Sequence, residues 1–194
     1  GTFGDMGCHI YDPVFKALGL TYPISLKSMG PKPNKHNWGF DAKIQYVFPN
    51  TPYSADKTLP VTWYDGGARP PKEVQALLEG RGLPGQGSIV VGTKGTMLIP
   101  HVGHPQLFPK KDFADFQIEK VPAVNHWHSF IDGARGEGDA PSANFDYSGP
   151  LSETVLLGGV ATRFPGETLK WDAEGLAFAG NEKATSLIRK TYRA

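Results

Sequence analysis

The chain has 194 residues, of which 39% are hydrophobic and 11% aromatic, enough for one domain, or two small ones, with a buried core. A formal net charge of +1 at pH 7 excludes the strongly basic surface that marks nucleic-acid-binding and many membrane-surface proteins. The single cysteine, Cys8, excludes an internal disulfide and a zinc site built on cysteines.

The first half of the chain predicts a helical start followed by strands. Asp5 suits the N-cap of a helix over residues 5–11, and Asp12-Pro13 is a second start signal for a helix that ends at Gly19. We interpret the two as one kinked helix or two abutting helices. Apolar and polar residues alternate over 40–48, which is typical of a strand with one buried face. Further strands are predicted at 23–29, 59–64, 88–91 and 96–99, with a short helix at 71–78 and a hairpin turn at 92–95.

The second half predicts helices with two late strands between them. The spacing of Leu151, Val155, Leu156 and Val160 predicts a helix over 150–163. Other elements are a helix at about 125–134, strands at 169–172 and 176–179, and a short basic helix over 183–192. With no internal repeat and no linker, residues 1–194 are predicted to form a single domain. Strands in hairpin-like succession with helices towards both ends predict an α+β fold, an open and mainly antiparallel sheet with helices packed on one face.

Residues 80–85 spell G-x-G-x-x-G, the pattern of a dinucleotide-binding turn. That turn requires a strand before it and a helix after it, so that the pyrophosphate meets the helix N-terminus. Here the order is reversed, because the predicted helix at 71–78 precedes the glycines and a strand follows them. Pro84 also removes a backbone donor. We therefore interpret the segment as a surface loop and expect no bound NAD or NADP on this chain.

Asp5 and His9 form the pair of residues with the most chemical content. Positions i and i+4 lie on the same face of a helix, so both side chains can point into one pocket. There a carboxylate can orient an imidazole, whose pKa of about 6.5 suits general acid–base work. The purely structural interpretations are a helix N-cap for Asp5 and a partly buried, hydrogen-bonded His9. Asp12 is interpreted as a structural cap before Pro13.

Of four aromatic side chains, two are predicted to contact substrate and two to pack in the core. Trp63 and Tyr64 precede a Gly-Gly bend at a strand end, where binding residues often collect, and are predicted to contact substrate. Because they alternate along a strand, at most one of them faces a pocket directly. Trp38 and Trp127 are predicted to pack in the core, and Cys8 to be a small buried packing residue.

No metal site is predicted. His126 and His128 stand two positions apart on a predicted helix and therefore point to different sides. His101 and His104 lie in a loop rich in glycine and proline. No histidine, cysteine or carboxylate spacing matches a zinc motif.

No run of about 18 apolar residues occurs, so no transmembrane helix is predicted. No signal peptide is visible at the start of the sequence.

Four segments together point to a family: residues 4–12, 61–67, 91–96 and 144–151. The first reads Gly-Asp-Met-Gly-Cys-His-Ile-Tyr-Asp and is similar to the D-x-G-x-H-x-x-D signature of the Gfo/Idh/MocA oxidoreductases. The others, VTWYDGG, VGTKGT and NFDYSGPL, resemble a subgroup common in bacteria that degrade polysaccharides. The resemblance covers almost the whole chain, in order, and matches only the C-terminal domain of the family.

The resemblance implies the fold and the activity of a longer protein. It implies that a Rossmann domain with the NAD(P)-binding glycines and a catalytic lysine lies outside these 194 residues, so that this part alone is inactive. It implies that His9 takes the hydroxyl proton of a sugar, polyol or sugar derivative, and that Asp5 orients His9 or binds a neighbouring hydroxyl.

Partners and compartment are also expectations from the resemblance. We expect a homo-oligomer formed through the sheet, with no nucleic-acid partner and no membrane insertion. The expected location is the bacterial cytoplasm or periplasm. Two alternatives stay open: a domain of an NAD-dependent glycosidase that uses transient oxidation, and a non-catalytic carbohydrate-binding or assembly module.

Overall fold

A computed structural model describes residues 1–190 and 192 of the chain and shows an α+β fold with two antiparallel sheets. The first sheet has five strands in the order β3-β2-β1-β7-β8, and the second has three in the order β4-β5-β6. The helices are α1 (Thr2–Leu18), α2 (Lys72–Ala76), α3 (His126–Arg135), α4 (Phe145–Ala161) and α5 (Glu182–Thr185), with a 3-10 turn at Lys110–Phe113. The strands are β1 (Ser25–Ser28), β2 (Lys43–Pro49), β3 (Thr58–Tyr64), β4 (Gly87–Val91), β5 (Thr96–Pro100), β6 (Gln106–Phe108), β7 (Thr168–Asp172) and β8 (Ala177–Phe178).

The α+β prediction with antiparallel strands is confirmed, whereas the single open sheet divides into two. Every strand pair among the described residues is antiparallel. The predicted hairpin at 92–95 joins β4 to β5, with the Gly92 N–H donating to the Gly95 carbonyl at 2.8 Å. The predicted closing helix is shorter than expected and ends at Thr185; Thr191, near its predicted end, lies outside the described residues.

The core lies between the five-stranded sheet and helices α1 and α4. On β2, Ile44, Tyr46 and Phe48 are fully buried and alternate with more accessible residues, as the period-two pattern predicts. On the opposite face of this sheet, Gln45 and Lys170 are exposed. The sheet therefore has one face under the helices and one polar face.

Helix α1 starts earlier than predicted and continues through its proline. Gly1 is its N-cap, so Asp5 lies in the first turn and is not the cap. A carboxylate there still interacts favourably with the positive end of the helix dipole. Pro13 stands inside the helix, which ends at Gly19 in the left-handed conformation. The result is one 17-residue helix in place of the kinked or paired helices allowed by the sequence.

Two glycines allow the helices and the sheet to approach closely. A Cβ added to Gly7 of α1 would lie 3.0 Å from a methyl of Val155 on α4. A Cβ added to Gly158 of α4 would overlap the hydroxyl of Tyr46 and lie 2.6 Å from a ring carbon of Phe3. Because both contacts involve buried side chains, any larger residue at Gly158 must displace the core.

Two tryptophans that were predicted to be in the core are on the surface. Trp127 on α3 is 70% exposed, and no residue of that helix is buried. Trp38 is 53% exposed, with the guanidinium of Arg163 4.8 Å from the centre of its ring. The Arg163 guanidinium also donates to the carbonyls of Asn34 and Asn37, which fixes it under the ring. Trp38 therefore covers a charged side chain at the surface and does not fill the interior.

Candidate functional site

Asp5 and His9 lie on the exposed face of α1. Both residues are exposed, while Phe3, Gly7 and Ile10 of the same helix are buried. The interpretation of His9 as a partly buried, hydrogen-bonded histidine is therefore wrong. Both residues lie on α1, so their i, i+4 spacing places them on one face of that helix. Both side chains are accessible to a molecule that approaches α1 from solvent.

A second histidine, which sequence reasoning did not connect to the first, lies beside His9. The ring centres of His9 and His101 are 5.9 Å apart, and the rings meet edge to face at 69°. The two residues line one small cavity of about 40 Å³, together with Ile10, Pro13 and Ser88. The structure thus brings together two imidazoles, one from α1 and one from the loop after β5.

Backbone and side-chain contacts between α1 and the three-stranded sheet set this geometry. The Ser88 hydroxyl on β4 donates to the Ile10 carbonyl on α1 at 3.1 Å. The His101 N–H donates to the Gln86 carbonyl at 3.0 Å, which extends the β4–β5 pairing to the loop. Gly87 has a φ of 154°, and a Cβ there would overlap the Ile99 carbonyl and lie 2.9 Å from the Cα of Pro100. A glycine is therefore required at the start of β4 for it to pair closely with the end of β5.

A wider groove also includes His101 in its lining. It is shallow and open to solvent, with a volume of about 490 Å³. The groove is lined by Pro84, Gly85, Gln86, Pro100, His101 and Val102. The end of the G-x-G-x-x-G segment therefore forms one wall of the groove. As the sequence order predicted, that segment follows α2 and precedes β4, so no helix N-terminus follows its glycines.

The structure does not bring Trp63 or Tyr64 to His9. Trp63 is 7% exposed and packs against Phe3 and Tyr11 of α1, so its ring has no free face for a sugar. Tyr64 follows it on β3 and therefore points to the other face of the sheet, where the Lys43 ammonium lies 5.6 Å from the centre of its ring. The sheet separates Tyr64 from α1 and from its histidine.

The VTWYDGG segment instead builds a structural corner around Asp65. This buried carboxylate accepts hydrogen bonds from the Ala42 N–H at 2.6 Å and from Trp63 Nε1 at 3.0 Å. Gly66 has a φ of 58°, and a Cβ there would overlap the Asp41 side chain. The Gly67 N–H donates to Asp41 Oδ1 at 2.5 Å. The motif thus joins the end of β3 to the start of β2.

Asp12 anchors α1 to α4. The Tyr147 hydroxyl donates to Asp12 Oδ1 at 2.5 Å and lies 3.1 Å from the Asp12 carbonyl. Burial, and then the hydrogen bond to Asp12, raise the pKa of Tyr147, so the phenol keeps its proton and remains a donor. The Lys16 ammonium lies 4.7 Å from the centre of the Tyr147 ring. Asp12 has a structural role, as predicted, but it acts through α4 and not as a cap before Pro13.

Cys8 is exposed, so the prediction that it packs in the interior is wrong. On a helix of 3.6 residues per turn, the residue next to a buried position is rotated by about 100°. Gly7 occupies the contact with Val155, which turns Cys8 outward.

Within residues 1–190 and 192, no three His, Cys, Asp or Glu side chains lie close enough together to hold a metal ion. In the same part of the chain, no helix combines the length and the apolar character needed to cross a bilayer.

Comparison of the sequence with protein-family models and with curated proteins finds no match.

Proposed function

We propose that this chain is the substrate-binding domain of an NAD(P)-dependent oxidoreductase of the Gfo/Idh/MocA type, acting on a sugar, polyol or sugar derivative. The observation that carries the proposal is the exposed Asp5/His9 pair on one helix, beside a small cavity and an open groove. The α+β class with antiparallel strands is compatible with the proposal at a coarse level, although the strands form two sheets and not the single open sheet that the resemblance implies.

The proposed chemistry divides between the chain and a cofactor held elsewhere. Oxidation of an alcohol removes a hydride from carbon and a proton from oxygen, and a nicotinamide would accept the hydride. His9 accepts the hydroxyl proton on a ring nitrogen as the carbonyl forms. Asp5, one helical turn away, orients the imidazole or binds the neighbouring hydroxyl.

The described residues do not fit the cofactor itself. A dinucleotide site needs a strand, a glycine-rich turn and then a helix, and the glycines at 80–85 lead into β4. We therefore assign NAD or NADP to the Rossmann domain that the resemblance implies. Calorimetric titration of the 194-residue chain with NAD and NADP is expected to show no binding. Micromolar affinity for either would contradict the assignment.

The central experiment replaces His9 in the natural protein, including any residues encoded before Gly1. His9→Ala is expected to lower kcat for sugar oxidation by about two to four orders of magnitude, since it removes the proton acceptor. His128→Ala is the matched control, because His128 is an exposed histidine on α3. Near-normal turnover by His9→Ala would overturn the role of His9.

The same assay separates the alternatives. Formation of free sugars from glycosides without net NADH would indicate an NAD-dependent glycosidase. Sugar binding without turnover would indicate a carbohydrate-binding module.

The polar face of the five-stranded sheet is the surface that we propose for homo-oligomer contacts. It includes Lys27, Gln45, Thr62 and Lys170, which alternate with the core residues of their strands. The molar mass of the natural protein in light scattering tests this, and charge reversal at Lys170 is expected to shift the mass towards that of the monomer. A monomeric wild-type protein would contradict the proposal.

A further inference from the structure

His101 occupies a position that the proposed reaction does not yet use. It lines both the cavity of about 40 Å³ beside His9 and the groove of about 490 Å³, which share Pro100 and His101. Its ring is 5.9 Å from that of His9, and its backbone is fixed by the hydrogen bond to Gln86. A ligand that reaches from His9 into the groove must therefore pass over His101.

We infer that His101 binds the substrate together with His9, and that the groove beyond His101 receives the part of the substrate that is not oxidised. This inference rests on the proposed function. It adds His101 as a substrate-binding residue and states that the substrate extends from His9 into the groove. The substrate hydroxyl at His9 loses its proton, and His101 makes a hydrogen bond to another hydroxyl of the same molecule.

The chemistry of the groove fits a carbohydrate. An imidazole can both donate and accept a hydrogen bond, as a sugar hydroxyl can. Gln86, also exposed at this groove, adds an amide with the same two capacities. Val102 is 84% exposed, and with Pro84 and Pro100 it offers apolar surface to the C–H face of a sugar ring. Small-molecule sites combine apolar walls with a few polar groups in this way.

The first experiment measures steady-state kinetics of the natural protein with D-glucose, D-galactose, myo-inositol and cellobiose as probes. His101→Ala is expected to raise KM for the best probe about tenfold, the loss of one hydrogen bond to the substrate, with a smaller change in kcat. His101→Asn keeps a donor and an acceptor and is expected to recover part of that loss. His104→Ala is the matched control, because His104 is an exposed histidine of the same loop that lines neither cavity.

The second experiment uses the 194-residue chain itself. Imidazole proton signals of His9 and His101 are expected to shift together in NMR titrations with the best probe, while those of His104 and His128 stay in place.

The outcomes separate this inference from the proposed function. If His9→Ala is inactive and His101→Ala has the wild-type KM, the inference is overturned and the function of His9 stands. If the wild-type protein oxidises none of the probes with NAD or NADP, the proposed function fails, and the inference fails with it.

Discussion

Adjacent glycines on α4 are expected to respond in opposite directions to the same substitution. Gly158 faces the core, where an added Cβ overlaps the Tyr46 hydroxyl and lies 2.6 Å and 2.7 Å from ring carbons of Phe3. Tyr46 cannot retreat freely, because it is fully buried and its hydroxyl donates to the Thr154 carbonyl at 3.1 Å. Gly159 is rotated away, and a Cβ there meets only the Trp38 ring at 3.5 Å, an ordinary contact.

The magnitudes follow from these contacts. Overpacking a core by one methyl costs about 1–3 kcal/mol, and loss of the Tyr46–Thr154 hydrogen bond adds about 1 kcal/mol. Replacing glycine by alanine within a helix returns up to about 1 kcal/mol. Gly158→Ala is therefore expected to destabilise the fold by about 1–3 kcal/mol, and Gly159→Ala to stabilise it by about 0.5 kcal/mol.

Thermal unfolding followed by circular dichroism measures both variants. For a chain of this size, 1 kcal/mol corresponds to about 2–4 °C, so Gly158→Ala is expected to lower Tm by roughly 2–12 °C and Gly159→Ala to raise it by about 1–2 °C. A rise in Tm for Gly158→Ala would refute the close approach of α4 to β2.

Three further substitutions test the corner at Asp65, the anchor at Asp12 and the acid at Glu153. Asp65→Ala leaves the buried Ala42 N–H and Trp63 Nε1 without an acceptor, and is expected to cost about 2–5 kcal/mol in urea unfolding. The exposed Asp56→Ala serves as its control, and equal losses would contradict the role of Asp65. Tyr147→Phe removes the donor to Asp12 and is expected to cost about 1 kcal/mol; no coupling between Tyr147→Phe and Asp12→Ala in a double-mutant cycle would refute this contact. Burial raises the pKa of Glu153 above its ordinary value of 4.5, so the folded state holds this proton more tightly and stability falls as pH rises through the folded pKa. Glu153→Gln keeps an acceptor for Trp171. The Tm of this variant minus the Tm of wild type is expected to increase as pH rises from about 4.5 through the folded pKa of Glu153. A Tm difference that does not change with pH would contradict the raised pKa.

Local patterns predicted the faces of the strands better than their ends. Alternation over 40–48 identified the buried side of β2 correctly, yet Phe40 is 69% exposed and the strand begins at Lys43. The reason is a long-range contact, because Asp41 adopts a φ of 55° and Asp65 binds the Ala42 N–H. A pattern within nine residues carries no information about that partner.

The start of α4 shows the same limit in a helix. The spacing of Leu151, Val155, Leu156 and Val160 predicts a start at about residue 150. The structure begins the helix five residues earlier, at Phe145, where the Asn144 side chain accepts from the Tyr147 N–H at 3.2 Å. Asparagine followed by a helical run is a recognised cap signal, so this boundary was available from the sequence.

The candidate site was predictable where it depends on one helix and unpredictable where it depends on two elements. The i, i+4 spacing of Asp5 and His9 is enough to place them on one face. The approach of His101 requires the second sheet to pack on α1 through Ser88 and Ile10, which no local pattern encodes. His101 was visible only as a histidine in a loop, without a partner.

The way α1 is held explains why its exposed face can carry chemistry. One side of the helix meets α4, at Gly7 against Val155 and at Asp12 against Tyr147. Another side meets β4 through the Ser88 hydroxyl. These contacts fix the rotation of α1 about its axis, and therefore the direction of His9, without using any atom of the His9 ring. Functional groups held on such rigid elements are positioned more accurately than groups on loops. A change at Tyr147 or Gly7 is thus expected to disturb His9 through the helix, whereas the proposed role of His101 predicts that a change there acts on substrate binding without moving α1.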